Sequence, residues 1–459
     1  MAELSIDSVL ERHALGAYRW CIYAACGLLI GVEGYDAYVV SILAPVIAKG
    51  LNIPIPALGF VFTAQATGMA VGFYTLPMLA DRIGRRGIIV LGALIFALLT
   101  FASTMATNLQ SFTLVRFLAF TALGGTMPNI VALVTEFVPS ARRGQLITWL
   151  FITHGLGASV AGLSGPIFVA LHSWKLALWA GGGLLLLLVP FLYLYLPESC
   201  RFLLNKNPQD PRIARTLRRI DAGLVLPDGT FFTTIEQKAG GLPLAGLFKD
   251  GRAPMTILLW IAMGCTLCVT QTLTAWSSTF LNVLCGLPIA LATRMSALGA
   301  IGAIAGPILL TALMKRFGLS LALATTLVIS FVTMSAHALI PAWQSLGWGL
   351  GACFGLFLIG AQAGLNSLVA SSYPTSVRST GIGWAGGIGR VTSMIGPALA
   401  GLMLHAGWNA WQVYPTVCAP LLAAAIAMLV FHMIKASERQ ESDVAPQAAA
   451  RPLRAVPEH

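Results

Sequence analysis

Between two apolar runs the chain reads Leu79-Ala80-Asp81-Arg82-Ile83-Gly84-Arg85-Arg86, with Asp81, Arg82, Arg85 and Arg86 crowded into one short loop. Each flanking run, about 57–79 and 87–106, matches the roughly 20 mostly apolar residues that one membrane-spanning helix takes. Gly84 permits the tight turn that joins them, since glycine reaches backbone angles closed to other residues. The loop has an echo. Lys315-Arg316-Phe317-Gly318 stands between two further apolar runs at an offset of 234, and Pro139-Ser140-Ala141-Arg142 is echoed by Pro374-Thr375-Ser376-Val377-Arg378 at 235. Each of the latter is followed by a Gly-x-Gly (Gly155 and Gly157; Gly387 and Gly389) and then by a Gly-Pro (Gly165-Pro166; Gly396-Pro397). Markers recurring at nearly one spacing point to a duplicated unit.

Working outward, apolar segments fall at about 20–45, 57–79, 87–106, 110–134, 145–171 and 175–196, then at about 255–284, 290–314, 319–340, 343–370, 379–405 and 411–434. The expectation is an all-α membrane protein of twelve transmembrane helices in two six-helix bundles. Residues 1–196 form the first bundle, 197–252 a cytoplasmic connector, 253–434 the second bundle and 435–459 a disordered tail. Composition agrees. Only 10% of the 459 residues are charged, against about 25% in soluble domains, while 57% are hydrophobic and the mean hydropathy is +0.81. A soluble enzyme is excluded, because lipid must cover most of this surface. The first run, Cys21 to Pro45, exceeds the 7–15 residues of a cleavable signal's apolar stretch.

A net charge of +11 invites a nucleic-acid partner, but its placement argues otherwise. Of 28 Lys and Arg, 23 fall in the termini, the connector and alternate loops, as the positive-inside rule requires. Both termini are therefore expected in the cytoplasm of a bacterial inner membrane. No P-loop is present, and Gly181-Gly182-Gly183 sits inside a helix, so no nucleotide cofactor is expected. Nor is there zinc-ligand spacing or a Gly-x-Ser-x-Gly elbow. Cys265 and Cys268 make a C-x-x-C in an apolar run, read as small packing residues.

Of 17 acids, only Glu33 and Asp36 lie well inside an apolar segment. An ionisable group there costs about 2.5–3.5 kcal/mol on insertion scales, so it usually faces a cavity and has a function. Three apart on a helix, they share a face. Two neighbouring carboxylates in a low dielectric cannot both ionise easily, so one is expected to hold and release a proton. The alternative is a carboxylate bonded to neighbouring helices for packing alone. Two cations are their natural partners. Arg116 lies a few residues into the fourth segment, and Arg390 lies eleven residues past Ser379, roughly 16 Å into the membrane at 1.5 Å per residue. Arg390 is read as the receiver of a substrate carboxylate, which its fork matches bidentately, or else as a fixed ion pair with the first half. Tyr35, Tyr38, Gln271, Trp276, Gln362, Asn366 and Trp384 are candidate walls for an aromatic ring, although aromatics near helix ends are more often interfacial anchors. His154 and His337 are either titrating groups or packing residues, and Arg294 is a topogenic or snorkelling cation.

The loop at 79–86 resembles the signature of the major facilitator superfamily, Gly-x-x-x-Asp-Arg-x-Gly-Arg-Arg. Pro77 stands in place of its first glycine, and Lys315 in place of the acid in the second copy. The resemblance narrows to the aromatic acid:proton symporters through Gly31-Val32-Glu33-Gly34-Tyr35-Asp36, where Glu33 replaces the first acid of an Asp-Gly-x-Asp. It continues through Arg116-Phe117-Leu118, Gly124-Gly125-Thr126-Met127-Pro128-Asn129, Pro197-Glu198-Ser199, Gly364-Leu365-Asn366-Ser367, Tyr373-Pro374-Thr375 and Gly381-Ile382-Gly383-Trp384-Ala385 to Arg390. The resemblance implies that Asp81 docks against the start of the eleventh helix, near Arg378, and latches the inner side. Arg82, Gly84, Arg85 and Arg86 belong to that latch or only set topology, and Glu136, Arg142 and Arg143 are read as members of the same gate. It also implies a monomeric, proton-driven importer of a small aromatic carboxylate such as a hydroxybenzoate, protocatechuate or gallate. A proton antiporter for export, or a membrane sensor for such acids, stands as the alternative.

Overall fold

The computed structural model describes residues 3–12, 15–171, 173–221, 223–224, 230–234, 244–249, 251–374 and 377–449, with backbone alone at 3, 140, 141, 148, 300, 378, 379 and 438–449. Twelve helices are long and apolar enough to cross a membrane. In chain order these are α1 (Ala17–Ile42), α2 (Ile55–Ile83), α3 (Arg85–Ser103), α4 (Leu109–Phe137), α5 (Arg142–Ala170), α6 (Trp174–Tyr195), α7 (Ala253–Val283), α8 (Ile289–Phe317), α9 (Leu319–Leu339), α10 (Leu346–Ser372), α11 (Thr380–His405) and α12 (Ala410–Ser437). They match the apolar segments to within a few residues. In lipid every backbone group must be bonded within its own helix, so hydropathy alone sets these elements.

The helices form two bundles that meet along α2 with α11 and α5 with α8. We call the end carrying the connector and both chain termini the connector end, and the other the far end. At the far end the bundles are closed. A Cβ placed on Gly59 of α2 would lie 3.1 Å from the Pro397 carbonyl oxygen and 3.2 Å from the Gly401 Cα of α11, so a side chain here would press on the backbone of α11 and glycine favours the close approach. Trp276 of α7 is fully buried there, donating to the Pro397 carbonyl at 3.0 Å and meeting Phe62 of α2 edge-on at 5.1 Å. At the connector end the bundles part. Side chains built on Gly144, Gly383 and Gly386 would meet nothing within 4 Å, and Asp81, Arg142 and Asn366 are exposed.

Four spans are interrupted, α12 among them by a turn at Ala419. Helix α4 breaks at Gly125, α11 breaks at Met394 just past Arg390, and α10 opens into a wider π turn over Phe354–Ile359. Such turns often mark functional sites.

The connector is more than a polar link. Helices Cys200–Lys206 and Pro211–Ile220 and a strand Phe231–Thr233 fold with the chain's first residues, where strand Glu3–Ser5 pairs in parallel with Phe231–Thr233. Ile6, Val9 and Leu10 bury against Ile213, Leu217 and Phe232. Asp7 pairs with Arg201 at 3.3 Å and accepts from the Thr234 hydroxyl at 2.8 Å. Asp210 caps the second helix through the Arg212 amide at 2.9 Å, and the Arg212 guanidinium holds its carboxyl below the usual range. The final helix continues to Ala449, since Ala, Glu, Gln and Lys favour helix, and residues 450–459 lie outside the described ones.

Candidate functional site

The two acids of α1 have different fates. Asp36, 1% exposed, forms a bidentate pair with Arg116 of α4, itself 0% exposed: Nη2 to Oδ2 at 2.5 Å and Nη1 to Oδ1 at 3.4 Å. Gln65 of α2 completes the cluster, its amide oxygen accepting from Arg116 Nη2 at 3.0 Å and Nε at 2.9 Å. The Arg116 guanidinium also lies over Phe120, 4.9 Å from the ring centroid. All these partners belong to the first bundle, so Arg116 is occupied internally and not aimed at a ligand. Removing one member of a buried pair strands the other charge at a cost of about 3–5 kcal/mol. Asp36→Leu should therefore lower the thermal unfolding temperature in detergent, and the double change with Arg116→Met should recover much of the loss. If the single variant melts like the wild type, the pair is not a brace.

Glu33 is equally buried, at 1% exposed, yet neither carboxyl oxygen has a hydrogen-bond partner among the described residues. The charge acting on it is Arg390 of the second bundle, with no ion-pair contact between them. The guanidinium of Arg390 donates no hydrogen bond among the described residues, and its Nε is buried without a partner. Instead it lies against the face of Phe73 of α2, 3.9 Å from the ring centroid. Arg390 lines a cavity of about 90 Å³ with Ala66, Met69 and Ala70 of α2, Leu267 and Gln271 of α7, and Ser393. Apolar walls and few polar groups give it the character of a small-molecule pocket, although its volume is below the usual range of about 300–1,000 Å³.

The remaining candidates divide. Gln271 lines this cavity. Gln362 of α10 reaches the Met263 sulfur at 3.0 Å while its Oε1 stays buried and unbonded, and Asn366 follows one turn later on the same face, exposed. Tyr35 is not a wall of the cavity. Its hydroxyl donates to the Ala177 carbonyl of α6 at 3.0 Å, inside the first bundle. Nor is Trp276, which is sealed in the far-end closure. Trp384 is 45% exposed on the helix face it shares, at spacings of seven and four, with exposed Val391 and Ile395, so it is an outward-facing aromatic near a helix end. Tyr38 turns edge-on to His154 at 6.4 Å, and His337 stacks on Tyr414 at 5.3 Å with Nδ1 3.1 Å from the Thr333 carbonyl. Arg294 is exposed near the far end.

Among the described residues no contact of the expected latch is seen. Asp81 and Arg82 are exposed, and Asp81 has no ion pair among the described residues, because the bundles stand apart at this end. The side chain of Arg378 lies outside the described residues. Glu136, read as a surface gate residue, is instead 3% exposed and bonded within the first bundle. It pairs with Arg85 and accepts from the Ser199 hydroxyl at 2.7 and 2.9 Å. Arg86 donates to the Tyr193 carbonyl, and its amide reaches Glu198 at 3.2 Å. Gly84, at φ 101, makes the turn, and a side chain there would strike Glu198. Arg143 meets Glu11 at 3.8 Å and the Val138 carbonyl at 3.2 Å, while Arg142 is exposed. This cluster joins α3, α4 and the connector without crossing to the second bundle.

A sequence profile described as Major Facilitator Superfamily matches residues 26–391. The gallate transporter of Pseudomonas putida is 30% identical, covering 93% of this chain and 95% of its own. The 4-hydroxybenzoate transporter PcaK of Pseudomonas putida is also 30% identical, with the same 93% and 95% covered. Among solved structures, the partially occluded inward open conformation of the xylose transporter XylE from E. coli matches with a TM-score of 0.70 at 15% identity, over 91% of this chain and 98% of that one, a likeness of fold alone.

Proposed function

The chain belongs to the Major Facilitator Superfamily, and from that premise we propose that it is a proton-coupled importer of an aromatic carboxylate across a bacterial inner membrane. The relatives that match along its length are named for gallate and 4-hydroxybenzoate, both aromatic acids. Taking the arginine-rich connector end as cytoplasmic, the cleft opens inward, and the working cycle rocks one bundle against the other about the cavity.

The observation that carries the reading is Glu33, a fully buried carboxyl with no hydrogen-bond donor among the described residues, near an Arg390 whose fork is unbonded among them. A buried carboxyl without partners is least costly when it holds a proton. Protonated, Glu33 leaves the guanidinium to a substrate carboxylate, which it can grip through two parallel N–H···O bonds. Once Glu33 loses its proton to the cytoplasm, its charge competes for Arg390 and the substrate is released. Proton and carboxylate thus travel together, and the pair carries no net charge. Asp36 stays in its pair with Arg116 as the fixed brace beside the moving site. The protein acts as a monomer and binds no nucleic acid.

The test is labelled 4-hydroxybenzoate uptake into proteoliposomes, counted over empty liposomes because weak acids also cross bare lipid. An inwardly directed gradient of one pH unit should raise the protein-dependent initial rate, and the reversed gradient should suppress it, whatever the membrane potential. Protein-dependent uptake indifferent to the gradient would remove the coupling, and uptake favoured by the reversed gradient would make the protein an exporter.

A further inference from the structure

Phe73 stands outside every motif and carries the shortest arginine–ring contact among the described residues, 3.9 Å from the Arg390 guanidinium carbon to the ring centroid. The two residues belong to different bundles. Along α2, Phe73 lies one turn beyond Met69 and Ala70, which line the cavity, toward the open connector end. Beside it Tyr74 meets Phe73 edge-on at 5.7 Å and approaches Gly387 of α11 closely enough that a side chain there would strike its hydroxyl. Past this pair the bundles separate, with open space at Gly383 and Gly386.

We propose that Phe73 is the inner gate of the cavity and the residue that positions the Arg390 fork. A guanidinium has two recognition surfaces. Its flat face is attracted to an aromatic ring, while its N–H groups point outward in the plane. Stacking on Phe73 therefore uses the face and leaves the edge free to take a carboxylate. The same contact spans the two bundles, so parting them at this end breaks it. Opening the gate and loosening the grip on the carboxylate become one event. The positioning half of this proposal rests on Arg390 receiving a carboxylate, whereas the gating half does not.

The experiment separates the two. Ala66→Cys places a thiol in the cavity, and its labelling by a charged methanethiosulfonate is timed in purified protein, over the same chain with Ala66 intact. Phe73→Leu keeps bulk and apolarity but has no ring face. It should label at least about tenfold faster, and Phe73→Tyr, which retains the face, should label like the wild type. In uptake, Phe73→Leu should raise KM for 4-hydroxybenzoate by about tenfold with the maximal rate unchanged, and Phe73→Tyr should restore it. Labelling of Phe73→Leu at the wild-type rate overturns the gate. Faster labelling with an unchanged KM overturns the positioning role. Faster labelling in a protein that moves no aromatic acid leaves the gate standing and removes the substrate reading instead.

Discussion

Glu33→Gln abolishes the response of uptake to the pH gradient while leaving the exchange of labelled for unlabelled substrate intact. Glutamine keeps the shape and the neutrality of a protonated glutamate, so Arg390 remains free and the cavity still binds. What is lost is the proton that must leave before the empty carrier resets against a gradient. One pH unit is worth about 1.4 kcal/mol, so coupling to one proton sets a roughly tenfold concentrating drive, which in this variant should fall to about one. Parallel measurement of gradient-driven uptake and of counterflow in proteoliposomes checks it. Retained drive in Glu33→Gln would place the proton elsewhere. The corresponding change at Asp36 should give a different picture, a less stable protein, because that acid is held by Arg116 with Nη2–Oδ2 at 2.5 Å.

Arg390→Ala should cost the substrate most of its affinity. Truncating one partner of a buried, hydrogen-bonded charge pair costs about 2–5 kcal/mol, which is roughly thirtyfold or more in Kd. Arg390→Lys keeps the charge but loses both the planar fork and the flat face that Phe73 holds, so it should rescue little. Isothermal titration of detergent-purified protein with 4-hydroxybenzoate reads both variants directly. A lysine variant as tight as the wild type would mean that only charge is being recognised, and an alanine variant as tight would remove Arg390 from the site.

The twelve spans were legible because hydropathy is imposed by lipid and needs no partner: Trp174–Tyr195 and Leu319–Leu339 begin and end within a residue of the apolar runs. Glu33, Asp36, Arg116 and Arg390 stood out for the same reason, as charges where charge is costly. What the sequence did not disclose was which acid met which cation. Depth along a helix brought Arg116 near Asp36, but only packing decided that Glu33 would be left without a donor. Tyr35 and Trp276 misled because an aromatic that packs and one that lines a cavity look alike in sequence. Trp384 carried a usable signal, its seven- and eleven-residue spacing to Val391 and Ile395, which marks the lipid stripe. Gln65, a lone amide in an apolar run, was a second. Phe73 had none, since its role exists only across the gap between bundles. The folded connector was hidden likewise, for Phe231–Thr233 gains its order from a strand more than two hundred residues away.

The π turn at Phe354–Ile359 fixes the rotational phase of everything after it in α10. A wide turn lodges an additional residue in the same rise, so the segment bearing Gln362 and Asn366 is rotated relative to an unbroken α-helix. Rewinding it to a regular helix with every residue kept would swing both amides by about a hundred degrees, the angle between successive residues at 3.6 per turn. Their present heading thus depends on the wide turn and the extra residue being kept or lost together, and a chain one residue shorter here, wound regularly, would point both amides the same way.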